Sequence, residues 1–302
     1  MSTQTTDLRI GMVGYAFMGT AHSQAWRTVN RVFDLPLRAR MTAVSGRDPQ
    51  KVAAAAAQLG WQEHTTDWRS LIARDDIDLI DVCTPGDSHA EIAIAALAAG
   101  KHVLCEKPLA NTIDEARAMA AAAVRAEAAG VRSMCGFNYR RVPAVAVMRR
   151  LIADGRIGEI RHVRAVYLQD WIVDPQFPLV WRLQKDKAGS GALGDIGAHI
   201  IDLTQYVTGQ LITGVSALTE TFVKQRPLVP DTDGTGQVTV DDAALFVARL
   251  DGGAVATYEA TRFATGRKNG LRVEINGSRG SVVFDFERMN ELEFYDAALP
   301  SD

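Results

Sequence analysis

Residues 8–19 read Leu8-Arg9-Ile10-Gly11-Met12-Val13-Gly14-Tyr15-Ala16-Phe17-Met18-Gly19, an apolar run that ends in a glycine-rich turn and passes into a helical stretch. Strand, tight turn and helix N-terminus in that order make the place where a dinucleotide fold brings its backbone against a pyrophosphate, with helix N–H groups aimed at the anion. Read as G-x-G-x-x-G, the turn is Gly14, Ala16, Gly19, so alanine stands where the middle glycine normally lets the backbone approach the phosphates. On this reading Gly14, Ala16, Phe17, Met18 and Gly19 are the turn's cofactor-contacting residues. The alternative is a glycine-rich turn of some other α/β fold.

Outward from this turn, short apolar runs alternate with alanine-rich amphipathic stretches to about residue 135, the pattern of βαβ units around a parallel sheet. Strands are expected at Leu8–Val13, Met41–Ser45, Leu79–Cys83, His102–Cys105 and Arg132–Cys135. Helices are expected near Gly19–Asn30, Pro49–Leu59, Ser88–Ala99 and Ile113–Ala129. Asp48 and Asn111 are the expected caps, and Gly60, Gly100 and Gly130 stand just past three helix ends. From about residue 158 the runs turn rich in Val, Thr, Tyr and Phe, at Ile160–Gln169, Ser216–Val223, Ala243–Leu250, Ala254–Thr261, Leu271–Ile275 and Ser281–Phe286. Hairpin-type turns such as Asp251-Gly252-Gly253 join several of them, which predicts an antiparallel sheet. One helix, Asp195–Val207, interrupts it after the loop Gly189–Gly194, and Pro227–Gly236 reads as a mobile loop. The fold class is therefore α/β: a Rossmann-type doubly wound parallel sheet over residues 1–136, and an α+β domain with a large, mostly antiparallel sheet over 137–302.

The chain has 302 residues, room for about two domains of ~100–200 residues each. Its 33 basic and 36 acidic side chains leave a net charge of −3, with no nucleic-acid or membrane-surface footprint. Three widely spaced cysteines, Cys83, Cys105 and Cys135, argue against a disulfide framework or a structural metal site and for a reducing cytoplasm. No apolar run approaches the ~20 residues of a membrane helix, and Met1–Asp7 is not a secretory leader.

Three further places could carry chemistry. After the second strand, where an acidic residue binds the ribose of NAD, stand Ser45, Gly46 and Arg47; an arginine beside small residues favours the 2′-phosphate of NADP over NAD. Arg47 is otherwise a solvated loop residue. Glu106-Lys107-Pro108 closes the strand His102–Cys105, and proline biases Lys107 towards extended backbone at the ligand-binding edge of the sheet. Its plain alternative is a local pair with Glu106. Asp195 and His199, four apart, share a helical face that also leads to Asp202. The competing reading is a capping aspartate with a core histidine one turn later, and a metal reading lacks further ligands.

Together these pieces resemble the Gfo/Idh/MocA family of NAD(P)-dependent oxidoreductases, which mostly act on sugars, inositols and other polyols. The matching stretches are the glycine turn, Thr84-Pro85 with His89, Glu106-Lys107-Pro108, Gly136-Phe137-Asn138-Tyr139-Arg140, Gly155 to Glu159, Trp181-Arg182, and Gly194-Asp195 through His199 and Asp202. The resemblance implies a catalytic set of Lys107, Asp195 and His199. It places Thr84, Pro85, His89 and Glu106 along the cofactor, Trp181 and Arg182 beside the nicotinamide, and Asn138 and Arg140 near the substrate. It implies no metal. Family members commonly continue with further elements of the second domain, which leaves room for chain beyond Asp302.

Oxidising a secondary alcohol needs a group that takes the hydroxyl proton and a group that fixes the oxygen. A histidine at its ordinary ~6.5 already titrates at working pH, whereas an amine ordinarily near ~10.4 must be brought down at roughly 4 kcal/mol. His199 is therefore the expected proton acceptor, with Lys107 stabilising the alkoxide and Asp195 orienting the hydroxyl or His199. Two other readings stand beside this one: a silent NADP-binding regulator, and a sugar-processing enzyme that uses its nicotinamide transiently. A broad sheet with one uncovered face predicts a homo-oligomer, a dimer or tetramer.

Overall fold

Six short strands, most of them leading into a helix, build the first of two compact units, Met1–Gly136; the second is Phe137–Asp302. The structure is a computed structural model that describes residues 6–228 and 234–299. The first unit runs β1 (Thr6–Val13), α1 (Phe17–Val32), β2 (Leu37–Ser45), α2 (Pro49–Leu59), β3 (Glu63–Thr65), α3 (Trp68–Ile72), β4 (Leu79–Val82), α4 (His89–Ala98), β5 (His102–Cys105), α5 (Ile113–Glu127) and β6 (Ser133–Cys135). All pairings are parallel, in the order β3-β2-β1-β4-β5-β6. The order reverses between β1 and β4, and the carboxyl ends of the strands at such a reversal are where open α/β sheets bind ligands. Ile10, Met12, Ala43, Val44, Ile80, Val82 and Val103 are buried, as strands covered on both faces require.

Local signals set most helix ends. The Asp48 carboxylate accepts from the N–H groups of Gln50 and Lys51, and Gly60 closes α2 at φ +82°, a left-handed conformation that suits glycine. The expected cap Asn111 is displaced by its neighbour. Thr112 accepts from the N–H of Glu115 while the Glu115 carboxylate accepts from that of Thr112, a reciprocal pair open only to the residue three before a glutamate. β3, three residues at the sheet edge, is too short to leave a pattern in the sequence.

The second unit runs α6 (Pro143–Ala153), β7 (Ile160–Leu168), α7 (Lys185–Ala188), α8 (Ala198–Thr208), β8 (Ile212–Glu220), β9 (Gln225–Pro227), β10 (Thr235–Gln237), β11 (Ala243–Leu250), β12 (Val255–Thr261), β13 (Gly270–Gly277), β14 (Gly280–Asp285) and β15 (Glu293–Asp296). Seven strands form one sheet in the order β15-β14-β13-β7-β12-β11-β8, antiparallel except for β7 and β12. Helices α6 and α8 cover one face, where Val145, Met148, Ile200 and Leu203 pack with Val163, Ala165, Tyr258, Val273 and Phe284. Along β11, Phe246, Ala248 and Leu250 point into that core while Leu245 and Val247 point out. Val215, Leu218, Val247 and Val255 lie exposed on the outer side, where a groove of about 560 Å3 is lined partly by Val215, Val247 and Val255.

Several expectations shift here. β8 begins at Ile212 rather than Ser216, and β15 and α6 are additional. Of the expected loop Pro227–Gly236, residues 229–233 lie outside the described residues, and its flanks pair as antiparallel strands, Pro227 opposite Thr235 and Arg226 opposite Gly236. Arg226 holds this hairpin down: fully buried, it donates to the carbonyls of Ile172 and Asp174.

Candidate active site

In the first unit the glycine turn is fixed by backbone packing. Gly14 sits at φ +99°, donates its N–H to the Ser45 carbonyl, and leaves no room for a Cβ, which would fall 2.7 Å from the Cys83 carbonyl oxygen. A Cβ on Gly19 would fall 2.2 Å from the Gly14 carbonyl oxygen. Ala16, by contrast, has φ −72° and is exposed, so alanine replaces the middle glycine without backbone strain. Ala16 offers no side-chain cap to α1, and the first turn carries no acid. The N-terminal N–H groups of a 16-residue helix thus face the turn with no side-chain cap, the donor set a pyrophosphate needs. Phe17 is 77% exposed beside them.

Ser45 is buried, Arg47 exposed, and Gly46 lies under the Tyr15 ring, where any Cβ would clash at 1.9 Å. His89 is 1% exposed, with its ring nitrogens 2.9 Å from the Pro108 carbonyl and 2.8 Å from that of Thr84. It ties the Thr84-Pro85 stretch to the one after β5. Glu106 is buried and Lys107 half-buried; the Glu106 carboxylate accepts from the Lys107 N–H at 3.2 Å, and the Lys107–Pro108 peptide is cis. Behind them lies a cluster that the pattern of the chain did not reveal. His22 on α1 has Nδ1 3.0 Å from Asp81 and Nε2 3.0 Å from Glu106, and Trp26 donates to Asp81 at 2.7 Å. Among the described residues His22, Asp81 and Cys83 form a group of metal-ligand type within 4.8 Å, but both ring nitrogens face carboxylates and burial pushes the Cys83 thiol well up. Those donors are spent on internal hydrogen bonds.

In the second unit the loop before α8 hangs on Asp241. Its carboxylate accepts from the N–H groups of Gly191 and Leu193, each at 2.7 Å, and its carbonyl accepts from Ala192. Gly191 has no substitute, because a Cβ would fall 1.7 Å from that carbonyl oxygen. The chain then makes a π-type turn, Leu193–Gly197, before α8, so Asp195 lies inside a helical turn rather than capping one. Its carboxylate, 25% exposed, lies 3.7 Å from the fully buried guanidinium of Arg262. Burial lowers the Arg262 pKa, opposed by Asp195, Asp241 and Asp242.

His199 is 8% exposed and ringed by Phe137, Tyr139 and Tyr167 at centroid distances of 6.0, 4.7 and 5.9 Å. Beside it the two tyrosine hydroxyls meet at 2.6 Å and Tyr167 donates to Asn269; burial pushes the Tyr167 phenol up, so it stays a donor. Asn138 is exposed, whereas Arg140 is engaged by a bidentate ion pair with Asp202 and lies over the Tyr206 ring. Arg182 stacks on Trp181 at 4.4 Å and gives its carbonyl to Arg262.

Comparison with known proteins converges on one family. The sequence profile described as "Oxidoreductase family, NAD-binding Rossmann fold" matches residues 8–134, and that of the "GFO/IDH/MocA C-terminal domain" matches residues 145–283. The levoglucosan dehydrogenase of Pseudarthrobacter phenanthrenivorans is 43% identical over 311 residues, covering 98% of this chain and 78% of the relative. A solved levoglucosan dehydrogenase in complex with NADH and levoglucosan superposes with a TM-score of 0.93 at 43% identity, over 98% of this chain and 78% of that one. An oxidoreductase domain protein from Kribbella flavida superposes at 0.95 with 67% identity over the same shares.

Proposed function

The chain belongs to the Gfo/Idh/MocA oxidoreductase family, and on that premise we propose that it oxidises a secondary hydroxyl of an anhydrosugar of the levoglucosan kind with NAD(P). The observation that carries this reading is the 43% identity, along 98% of the chain, to a dehydrogenase acting on that sugar. The residues present suit the cofactor: a glycine turn, an uncapped helix N-terminus and a strand-order reversal meet at one edge of the first unit's sheet.

When bound, the nicotinamide supplies the hydride acceptor. On the chain's side, His199 takes the hydroxyl proton, a task open to a neutral imidazole nitrogen. Lys107 donates to the reacting oxygen and stabilises its developing negative charge. Asp195 orients the sugar hydroxyl, its own placement set by the Asp241-anchored loop and by Arg262. The absence of an acid at Ser45-Gly46-Arg47 supports acceptance of NADP beside NAD, with exposed Arg47 as the discriminating residue. A second copy of the chain covers the open sheet face at Leu218 and Val247, which gives a homo-oligomer. The buried thiols of Cys83 and Cys105 suit a reducing compartment.

The test is a matrix of NAD and NADP against levoglucosan, L-sorbose and inositols, followed by absorbance of the reduced nicotinamide. Turnover with levoglucosan supports the reading. Cofactor binding with no turnover on any sugar contradicts it and favours a regulator, and copurified cofactor that never exchanges favours transient use.

A further inference from the structure

Two carboxylates lie buried side by side where β4 and β5 end. Asp81 is fully buried and Glu106 is 5% exposed. In an apolar interior such a pair cannot keep both charges without a cation or generous hydrogen bonding. Between them stands the His22 ring, delivered by α1 one turn after the last glycine of the turn, with one nitrogen 3.0 Å from each acid. A neutral imidazole has one N–H and one lone pair, so in that form one nitrogen would face a carboxylate lone pair to lone pair. Only the doubly protonated ring donates both ways. Burial pulls the His22 pKa down, but hydrogen bonds to Asp81 and Glu106 outweigh it and raise the group to about 10. The other side chains that meet Asp81 are neutral: Trp26 and the Cys83 thiol donate to it, and burial pushes the Cys83 and Cys105 thiols up.

The clamp reaches further through Glu106. One of its oxygens meets His22 and the other accepts the backbone N–H of Lys107. Gly136 gives the first oxygen its room, since a Cβ there would lie 2.9 Å away. We propose that His22 is a positioning residue: its cationic ring, held between Asp81 and Glu106, fixes the Glu106 carboxylate and through it the place of Lys107. The proposal rests on the reading of Lys107 as catalytic only for its effect on turnover. The clamp itself has readouts that need no substrate.

The wild-type protein, labelled at its histidine ring nitrogens, should show by NMR a His22 ring still doubly protonated at pH 8; a ring neutral there overturns the proposal without any variant. His22→Gln, Glu106→Gln and the double variant are then compared in the rate at which trinitrobenzenesulfonate modifies Lys107, read by mass spectrometry. Each single change should alter that rate roughly threefold or more and the double no further, as for one coupled unit. Unaltered labelling in His22→Gln, or effects that simply add, overturns it. Turnover should fall about tenfold in His22→Gln with the NADH dissociation constant kept within twofold. Lys107→Met run alongside separates the failures: activity that survives it removes the catalytic reading of Lys107 and leaves the labelling and titration results to judge the clamp.

Discussion

The two units solve the same problem, holding polar side chains at a site against an apolar core, by different means. In the first, the groups that matter sit at the ends of consecutive parallel strands and at the start of one helix, and a single histidine joins them. In the second, the loop that carries Asp195 is held by side chains from other elements. Asp241 holds Gly191 from 50 residues away, and Arg262 approaches Asp195 from the end of β12. A site built on strand ends is placed by the sheet and joined by one side chain, whereas a site hung on a loop is placed by the residue that anchors it.

Asp241→Ala should therefore do the most damage to stability. It removes two charge-assisted hydrogen bonds to partly buried backbone N–H groups, about 3 kcal/mol together, and should lower the Tm by roughly 6–12 °C in calorimetry. A loss below about 1 kcal/mol would remove the contrast between the units. His22→Gln breaks the joint of the first unit, and its effect should depend on pH. The folded-state pKa of His22 is raised to about 10 from an ordinary 6.5, so its stabilisation is full below pH 6.5 and is lost as pH rises through 10. The wild-type protein should melt about 5 °C above the variant at pH 6, with the gap closing towards pH 10; a gap that widens with pH contradicts the assignment. Val247→Lys, on the outer face of β11, should halve the mass seen by light scattering while shifting stability by less than ~0.5 kcal/mol. Arg47→Ala should have the smallest effect, raising the KM for NADP about fivefold, some 1 kcal/mol, and leaving that for NAD unchanged.

Much of this contrast was legible beforehand, and unevenly. The glycine turn, the Asp48 cap and the left-handed glycines Gly60, Gly100 and Gly130 are local devices, so they read directly from neighbouring residues. The family pattern pointed to Lys107, Asp195 and His199 because those residues stand in order along the chain. What stayed hidden depends on contacts between distant segments: His22 with Glu106, Asp241 with the loop before α8, Tyr139 with Tyr167. Asp81 did leave a signal, an acid in the middle of the apolar run Leu79–Val82, which in a strand buried on both faces calls for a partner. Arg140 stands in the family's motif, and the order of residues did not show that its charge is engaged by Asp202. His89 likewise is spent on two carbonyls.

The most direct test is steady-state turnover of levoglucosan with NAD by the wild-type protein, Lys107→Met and His199→Ala, with NADH affinity measured by fluorescence on the same samples. Loss of about 100-fold or more in kcat in each variant, with NADH affinity kept, is the predicted result. Wild-type turnover in either variant would contradict the account.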